Sequence, residues 1–250
     1  MSGESYTPGH SGNATAFMAA RTIESHGRFF TPHLEPGVSV LDCGCGPGSI
    51  TLGIAARTHP GEVVGVDFGE SQIERARESA TGAGAHNVRF QTADCYALPF
   101  PDESFDRVFS NALMEHLADP AAAVREFHRI LRPGGVIGLC SPDWGGFVLA
   151  PPSDALDGAI RAYEALQTRN GGDVRAGRRL GGYLAESGFS AVAMSARYEC
   201  YDSLPAIGGY LALQLDDSGD ARSAATLRDW SRSEGGMFAQ CWISCVARKP

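Results

Sequence analysis

The chain has no internal repeat, no low-complexity tract and no continuous apolar run long enough to cross a bilayer. Solenoid and membrane-spanning classes are therefore excluded, and no membrane partner is expected. No basic region followed by an apolar stretch occurs between Met1 and His10, so no secretion signal is expected either. Cys-x-x-Cys pairs are missing. The seven cysteines, an odd number, fall mostly in apolar, strand-like runs and read as reduced, buried thiols of a cytoplasmic protein. Cys241 and Cys245 have no His or Cys cluster beside them, so no metal is expected. Basic residues are scarce too. Lys and Arg number 21 against 29 Asp and Glu, a net charge of −8, without the basic stripe that a nucleic-acid backbone needs. A small-molecule partner fits this surface better than nucleic acid. Oligomeric state is not legible from composition.

What is present is a chain of 250 residues, 43% hydrophobic, enough for one α/β domain with a full core. Strand and helix patterns alternate, which argues for a parallel sheet covered on both faces. A helix is predicted over 14–30. Strands follow over 38–42, 63–67, 87–94 and 104–111, with helices between them that carry Ile50, Ile54 and Ala55, then Ile73, Ala76 and Ala80. Asp119 and Pro120 open a further helix as N-cap and first helical residue. Arg132-Pro133-Gly134-Gly135 stops it and leads into a strand over 136–140. Beyond Pro151-Pro152, helices are expected over 154–167 and 178–187. Late strands follow over 191–200 and 238–247, with mixed sequence between them.

The strongest local signal is Val40-Leu-Asp-Cys-Gly-Cys-Gly-Pro-Gly48, a Gly turn at the carboxyl end of the first strand, where backbone can approach a ligand closely. The dinucleotide fingerprint G-x-G-x-x-G fails in both registers, because its third glycine would fall on Ser49 or Thr51. Asp67 closes the second strand 19 residues after Gly48. A carboxylate there suits the two hydroxyls of a ribose. Asp42 and Asp94 also end strands, and for each the alternative is a helix N-cap.

Together with Leu98-Pro-Phe-Pro-Asp102, Ser104-Phe105-Asp106 and Leu131-Arg-Pro-Gly-Gly135, these motifs resemble class I S-adenosylmethionine-dependent methyltransferases. The likeness is to the ubiquinone/menaquinone-biosynthesis-like small-molecule branch, and it spans residues 35–145. It implies a doubly wound, mostly parallel seven-stranded Rossmann-like sheet with an N-terminal helical cap and a C-terminal helical insertion. One domain over 1–250 would comprise a cap (1–34), a cofactor-binding core (35–145) and a substrate-side portion (146–250). S-adenosylmethionine is the implied cofactor. Gly44, Cys45, Gly46 and Gly48 would wrap its methionine and ribose, and Asp67 would hold the ribose hydroxyls. Phe68 would lie against the adenine, Asp94 would accept from its amino group, and the Cys95 backbone would read the ring edge. Asn111 would sit near the methionine part. Tyr6, Arg21 and Thr22 would close over the cofactor, and Gln72 is a further candidate whose alternative is an exposed helix face.

Methyl transfer from a sulfonium needs mainly alignment and exclusion of water, which agrees with the lack of a loud catalytic signature. His116 is the candidate base, against a His that only lines the pocket. His10 and His26 rank below it. Asp143 and Trp144 are candidates for the pocket floor, Arg178 and Arg179 for an acceptor carboxylate, and Tyr163, Tyr201 and Trp230 for aromatic walls. The alternative is loop packing for Asp143 and Trp144, ordinary surface charge at a helix start for the arginines, and core packing for the three aromatics. The rival functions are an S-adenosylmethionine-binding protein repurposed as cyclase or sensor, and a NAD(P)-dependent oxidoreductase.

Overall fold

The computed structural model describes Thr7 and residues 18–250. Tyr6 and His10 lie outside the described residues. Seven strands make one sheet: β1 (Val40–Cys43), β2 (Val63–Asp67), β3 (Val88–Thr92), β4 (Phe105–Asn111), β5 (Leu131–Ala150), β6 (Ser190–Cys200) and β7 (Met237–Arg248). Their order is β3-β2-β1-β4-β5-β7-β6. The first five pair in parallel, whereas β7 runs antiparallel to both β5 and β6. The doubly wound, mostly parallel class expected from the sequence is the one observed. The order reverses between β1 and β4, and the crevice beyond their carboxyl ends is where open α/β sheets bind ligands.

Side chains alternate across each strand, so the central strands feed two cores. Leu41, Val64, Val108 and Ile137 pack with Val124 and Phe127 of helix α4 (Pro120–Ile130) and Leu180 of α6 (Ala176–Glu186). Val40, Val63 and Phe109 pack instead with Ile54 of α2 (Ser49–Thr58) and with Ile23 and Phe30. Helix α3 (Glu70–Ala83) lays Ile73, Ala76 and Ala80 against Phe90 of β3. Asp119 caps α4 as expected, accepting from the Ala122 amide at 2.9 Å. Beyond the sheet, α5 (Asp154–Arg169), α7 (Leu204–Asp217) and α8 (Ala221–Trp230) share an apolar cluster of their own with Trp144 and Phe238.

Three expectations need correction. Within the described residues the 14–30 helix is not continuous: α1 spans only Ile23–His26, and a 3-10 turn covers Arg28–His33. Thr22 and Ser25 form a reciprocal capping box that starts α1 afresh, while Gly27 and Pro32 keep the helix from continuing beyond His26. β5 does not stop at 140 but runs to Ala150, because β7 pairs with it as far as Ala150↔Met237 across an irregularity between Asp143 and Val148. Asp143 and Trp144 therefore lie within a strand rather than in a loop. Finally, α6 begins at Ala176, two residues before the predicted start.

Candidate active site

The turn after β1 is held by its neighbours. The amides of Gly44 and Cys45 donate to the Val66 carbonyl at 2.8 and 3.0 Å. Gly46 takes φ of +52° and Gly48 +82°, conformations that glycine adopts without penalty. The two differ in surroundings. A Cβ on Gly48 would meet Phe90 and Ala76 at about 3 Å, whereas one on Gly46 would project into open space. The turn is thus packed below Gly48 and left clear at Gly46, as a cradle for a ligand requires.

Asp67 faces this cradle. Its carboxylate accepts from the Gly46 amide and from the Gly69 amide, both at 2.9 Å, so one oxygen is tied to each side of the crevice. Each oxygen keeps a lone-pair direction for a further donor. Phe68, the next residue, is 81% exposed, an apolar ring at the mouth with little covering it. Gln72 is 1% exposed, so the exposed-face alternative fails for it. Asn111 ends β4 and is buried, and neither polar atom of its side chain has a hydrogen-bond partner among the described residues. Such an orphaned amide is costly unless a ligand satisfies it. Asp94 is exposed and accepts from the Tyr96 amide at 2.9 Å, closing a local turn. Cys95 is half-buried beside it. Asp42 does not cap a helix: it is buried, it accepts from the Thr51 hydroxyl at 2.6 Å, and burial pushes its carboxyl up to about 7.

Ala112, which follows Asn111 in the chain, lines a cavity of about 50 Å³ whose walls include Arg21, Glu115, His116, Trp144, Tyr163 and Tyr210. Trp144, Tyr163 and Tyr201 are among its walls, and the Trp144 and Tyr163 rings sit 4.9 Å apart. Trp230 does not; its indole donates to the Ala150 carbonyl. Arg21 stands 5.2 Å over the Trp242 ring, on the cavity wall. Thr22, by contrast, is exposed and caps α1, so its hydroxyl is not turned to the crevice.

The arginines expected to meet an acceptor carboxylate are committed elsewhere. Arg178 forks onto Asp143 with two bonds of 2.7 Å, and Asp143, 2% exposed, also accepts from the Gly145 amide. Arg179 pairs with Asp173 at 2.9 Å. Asp143 is correspondingly a partner for Arg178 and not a floor of the cavity. His26 pairs with Glu199 at 3.2 Å, away from the crevice turn.

His116 lines the cavity, but burial and the nearby Arg21 charge hold its imidazole down to about 3. It is neutral, and too weak a base to take a proton at neutral pH. Sequence reasoning passed over its neighbour Glu115, a carboxylate 3% exposed. No local pattern marks it, because its burial comes from α5 and β5. Among the described residues no His, Cys, Asp and Glu group is arranged to hold a metal.

The His116 shift has a measurable consequence. The unfolded histidine takes up a proton near its ordinary 6.5, while the folded one resists until about 3. The stability it contributes is present above 6.5 and is lost as pH falls through that window. His116→Gln removes this dependence, so its acid-unfolding midpoint, followed by circular dichroism, is expected below that of the wild type. Coincident midpoints would contradict a buried neutral imidazole. Asp42 and Glu115, both raised to about 7, act with the opposite sign and lower stability as pH rises towards 7.

A switch-point crevice with a Gly cradle and a carboxylate placed for a diol is the geometry of a nucleoside-binding domain of the doubly wound class. The lone antiparallel β7 between β5 and β6 narrows this further, and comparison with known proteins agrees. Residues 41–139 match the methyltransferase domain family, and this segment is a class I methyltransferase domain. A 37.1 kDa protein in transposon TN4556 of Streptomyces fradiae is 31% identical over 217 residues, 86% of this chain and 59% of that protein. The 27-O-demethylrifamycin SV methyltransferase of Amycolatopsis mediterranei is 36% identical over 125 residues, covering 50% of this chain and 44% of its own. The crystal structure of the cyclase SpnF superposes with a TM-score of 0.59 at 25% identity, over 94% of this chain and 79% of that one. The chain thus spans about half the length of the two named relatives. No helix among the described residues is long and apolar enough to cross a membrane.

Proposed function

We propose that the protein transfers a methyl group from S-adenosylmethionine to an oxygen, nitrogen or carbon of a small metabolite, and that it works in the cytoplasm without nucleic acid. One observation carries this reading: at the carboxyl ends of β1 and β2 the Asp67 carboxylate is bonded to the Gly46 amide beside clear space at Gly46, as a cradle for a nucleoside requires. Asp67 accepts from the ribose hydroxyls, and Phe68 covers one face of the adenine. Asp94 and the Cys95 backbone read the edge of that ring, with Gln72 supporting the Asp67 side. Asn111 and the Gly44, Cys45, Gly46 and Gly48 backbone hold the methionine part. When bound, the sulfonium supplies the electrophilic methyl. The chain aligns the acceptor with it and keeps water out through Trp144, Tyr163 and Tyr210. Residues 1–34 act as the cap, with Arg21 its contribution to the cavity. Residues 35–145 form the cofactor core, and 146–250 shape the acceptor side. All seven cysteines are free, which suits a reducing compartment.

Calorimetric titration with S-adenosylmethionine, S-adenosylhomocysteine and NAD tests the reading. Binding of the first two in the micromolar range, without NAD, is expected. Binding of NAD alone would overturn it. Formation of S-adenosylhomocysteine during turnover separates methyl transfer from use of the same site by a cyclase or sensor.

A further inference from the structure

Glu115 lies in a 3-10 turn, Met114–His116, just past β4. Its carbonyl accepts from the Gln167 side chain at 3.0 Å and the Asp173 amide at 2.9 Å, which clamps the turn against α5 and the loop after it. The Ser141 hydroxyl of β5 donates to its carboxylate at 2.8 Å. This fixed carboxylate lines the cavity beside Ala112. Burying a carboxylate there costs stability that an apolar side chain would not, so packing does not account for it.

The ionisable groups facing it come from four elements: Arg21, His116 in its own turn, Cys140 on β5 and Tyr210 on α7. Burial keeps three of these neutral over the physiological range, with His116 held down to about 3, Cys140 pushed up to about 11 and Tyr210 to about 12. Burial also raises Glu115, to about 7. Of these groups, Glu115 is the one that exchanges a proton near neutrality, and Arg21 carries the fixed positive charge.

We propose that Glu115 is the proton acceptor for a substrate bearing a weakly acidic hydroxyl, a phenol or an enol, so that the reaction is O-methylation; this rests on the methyltransferase reading above. The hydroxyl proton passes to the Glu115 carboxylate, and Arg21 stabilises the negative charge that develops on oxygen. That oxygen's electron pair forms the new bond to the methyl carbon, while the old carbon–sulfur pair stays on sulfur, which becomes a neutral thioether. A cavity of about 50 Å³ encloses the reacting end of an acceptor and not a whole ring. A phenol, with an ordinary pKa of about 10, lies within reach of such a base, whereas an aliphatic alcohol does not. An ammonium group would meet the like charge of Arg21.

The test is direct binding of phenol, anisole and benzylamine to the full chain saturated with S-adenosylhomocysteine, at pH 6 and pH 8. Phenol donates a hydrogen bond to the carboxylate and anisole, its methylated form, cannot. Phenol is expected to bind about fivefold tighter than anisole at pH 8, the gain of a charge-assisted over a neutral hydrogen bond. The preference should shrink at pH 6, where Glu115 is protonated. Glu115→Gln should keep its affinity for S-adenosylhomocysteine and lose the pH dependence. Ser141→Ala, which removes a bond favouring the charged form, should move the onset of the preference to higher pH, and it serves if the first variant does not fold. Equal binding of phenol and anisole, a pH dependence that survives in Glu115→Gln, or tighter binding of benzylamine would each overturn the assignment while leaving the cofactor reading intact. Failure of the wild type to bind S-adenosylhomocysteine would overturn both.

Discussion

Asp67→Ala is expected to weaken S-adenosylmethionine binding about ten- to a hundredfold, the loss of a charge-assisted pair of hydrogen bonds worth about 1.5–3 kcal/mol. The effect has two sources. The ribose loses its acceptor, and the amides of Gly46 and Gly69, each 2.9 Å from a carboxylate oxygen, lose theirs. The crevice would then be less ordered before the ligand arrives. Asp67→Asn is not a mild control, because its amide nitrogen must face one of those two N–H groups, donor against donor. Calorimetry on both variants, with folding checked by thermal melting, decides the matter. Unchanged affinity in a folded Asp67→Ala protein would sink the placement of the ribose.

The second large effect separates two glycines of one turn. Gly48→Ala forces a left-handed residue at φ +82° and drives its Cβ to within about 3 Å of Phe90 and Ala76. Backbone strain of about 1–2 kcal/mol and overpacking of about 1–3 kcal/mol together predict a loss of roughly 2–5 kcal/mol. For a chain of this length that lowers Tm by about 4–20 °C. Gly46→Ala carries the strain without the collision, since nothing lies within 4 Å of the added carbon. From the strain alone it should melt about 2–8 °C earlier than the wild type. Its methyl group, however, fills the cradle, so the larger loss there is in cofactor affinity. Similar melting temperatures for the two variants would show that the core below the turn yields to Gly48→Ala.

The residues proposed for the cofactor side share one physical trait. The Gly turn, the strand-terminal Asp67, Phe68 and Asn111 are consecutive with, or a few residues from, the strands that carry them. A strand's end and a glycine's freedom are local properties, so their positions follow once the strand pattern is known. Arg178 and Asp143 show the opposite case. They are 35 residues apart in the chain and form a fork-to-fork pair only because β5 continues past Cys140. Read singly, Arg178 looked available for a substrate and Asp143 for a pocket floor. Thr22 was likewise given to the crevice, although its local role as a helix cap, written in Thr22 and Ser25, prevailed.

By itself the sequence determined the class of sheet and the glycine turn at its switch point, because these rest on short-range hydrophobic periods and on turns that tolerate positive φ. Only the tertiary structure decided how far β5 runs, where Arg178 spends its charge, and which acid or imidazole stays buried in the acceptor cavity. The reason is that pairing partners and burial are set by segments distant in the chain. Glu115 and His116 are adjacent residues, yet burial beneath those distant segments raises the pKa of the acid to about 7 and lowers that of the imidazole to about 3.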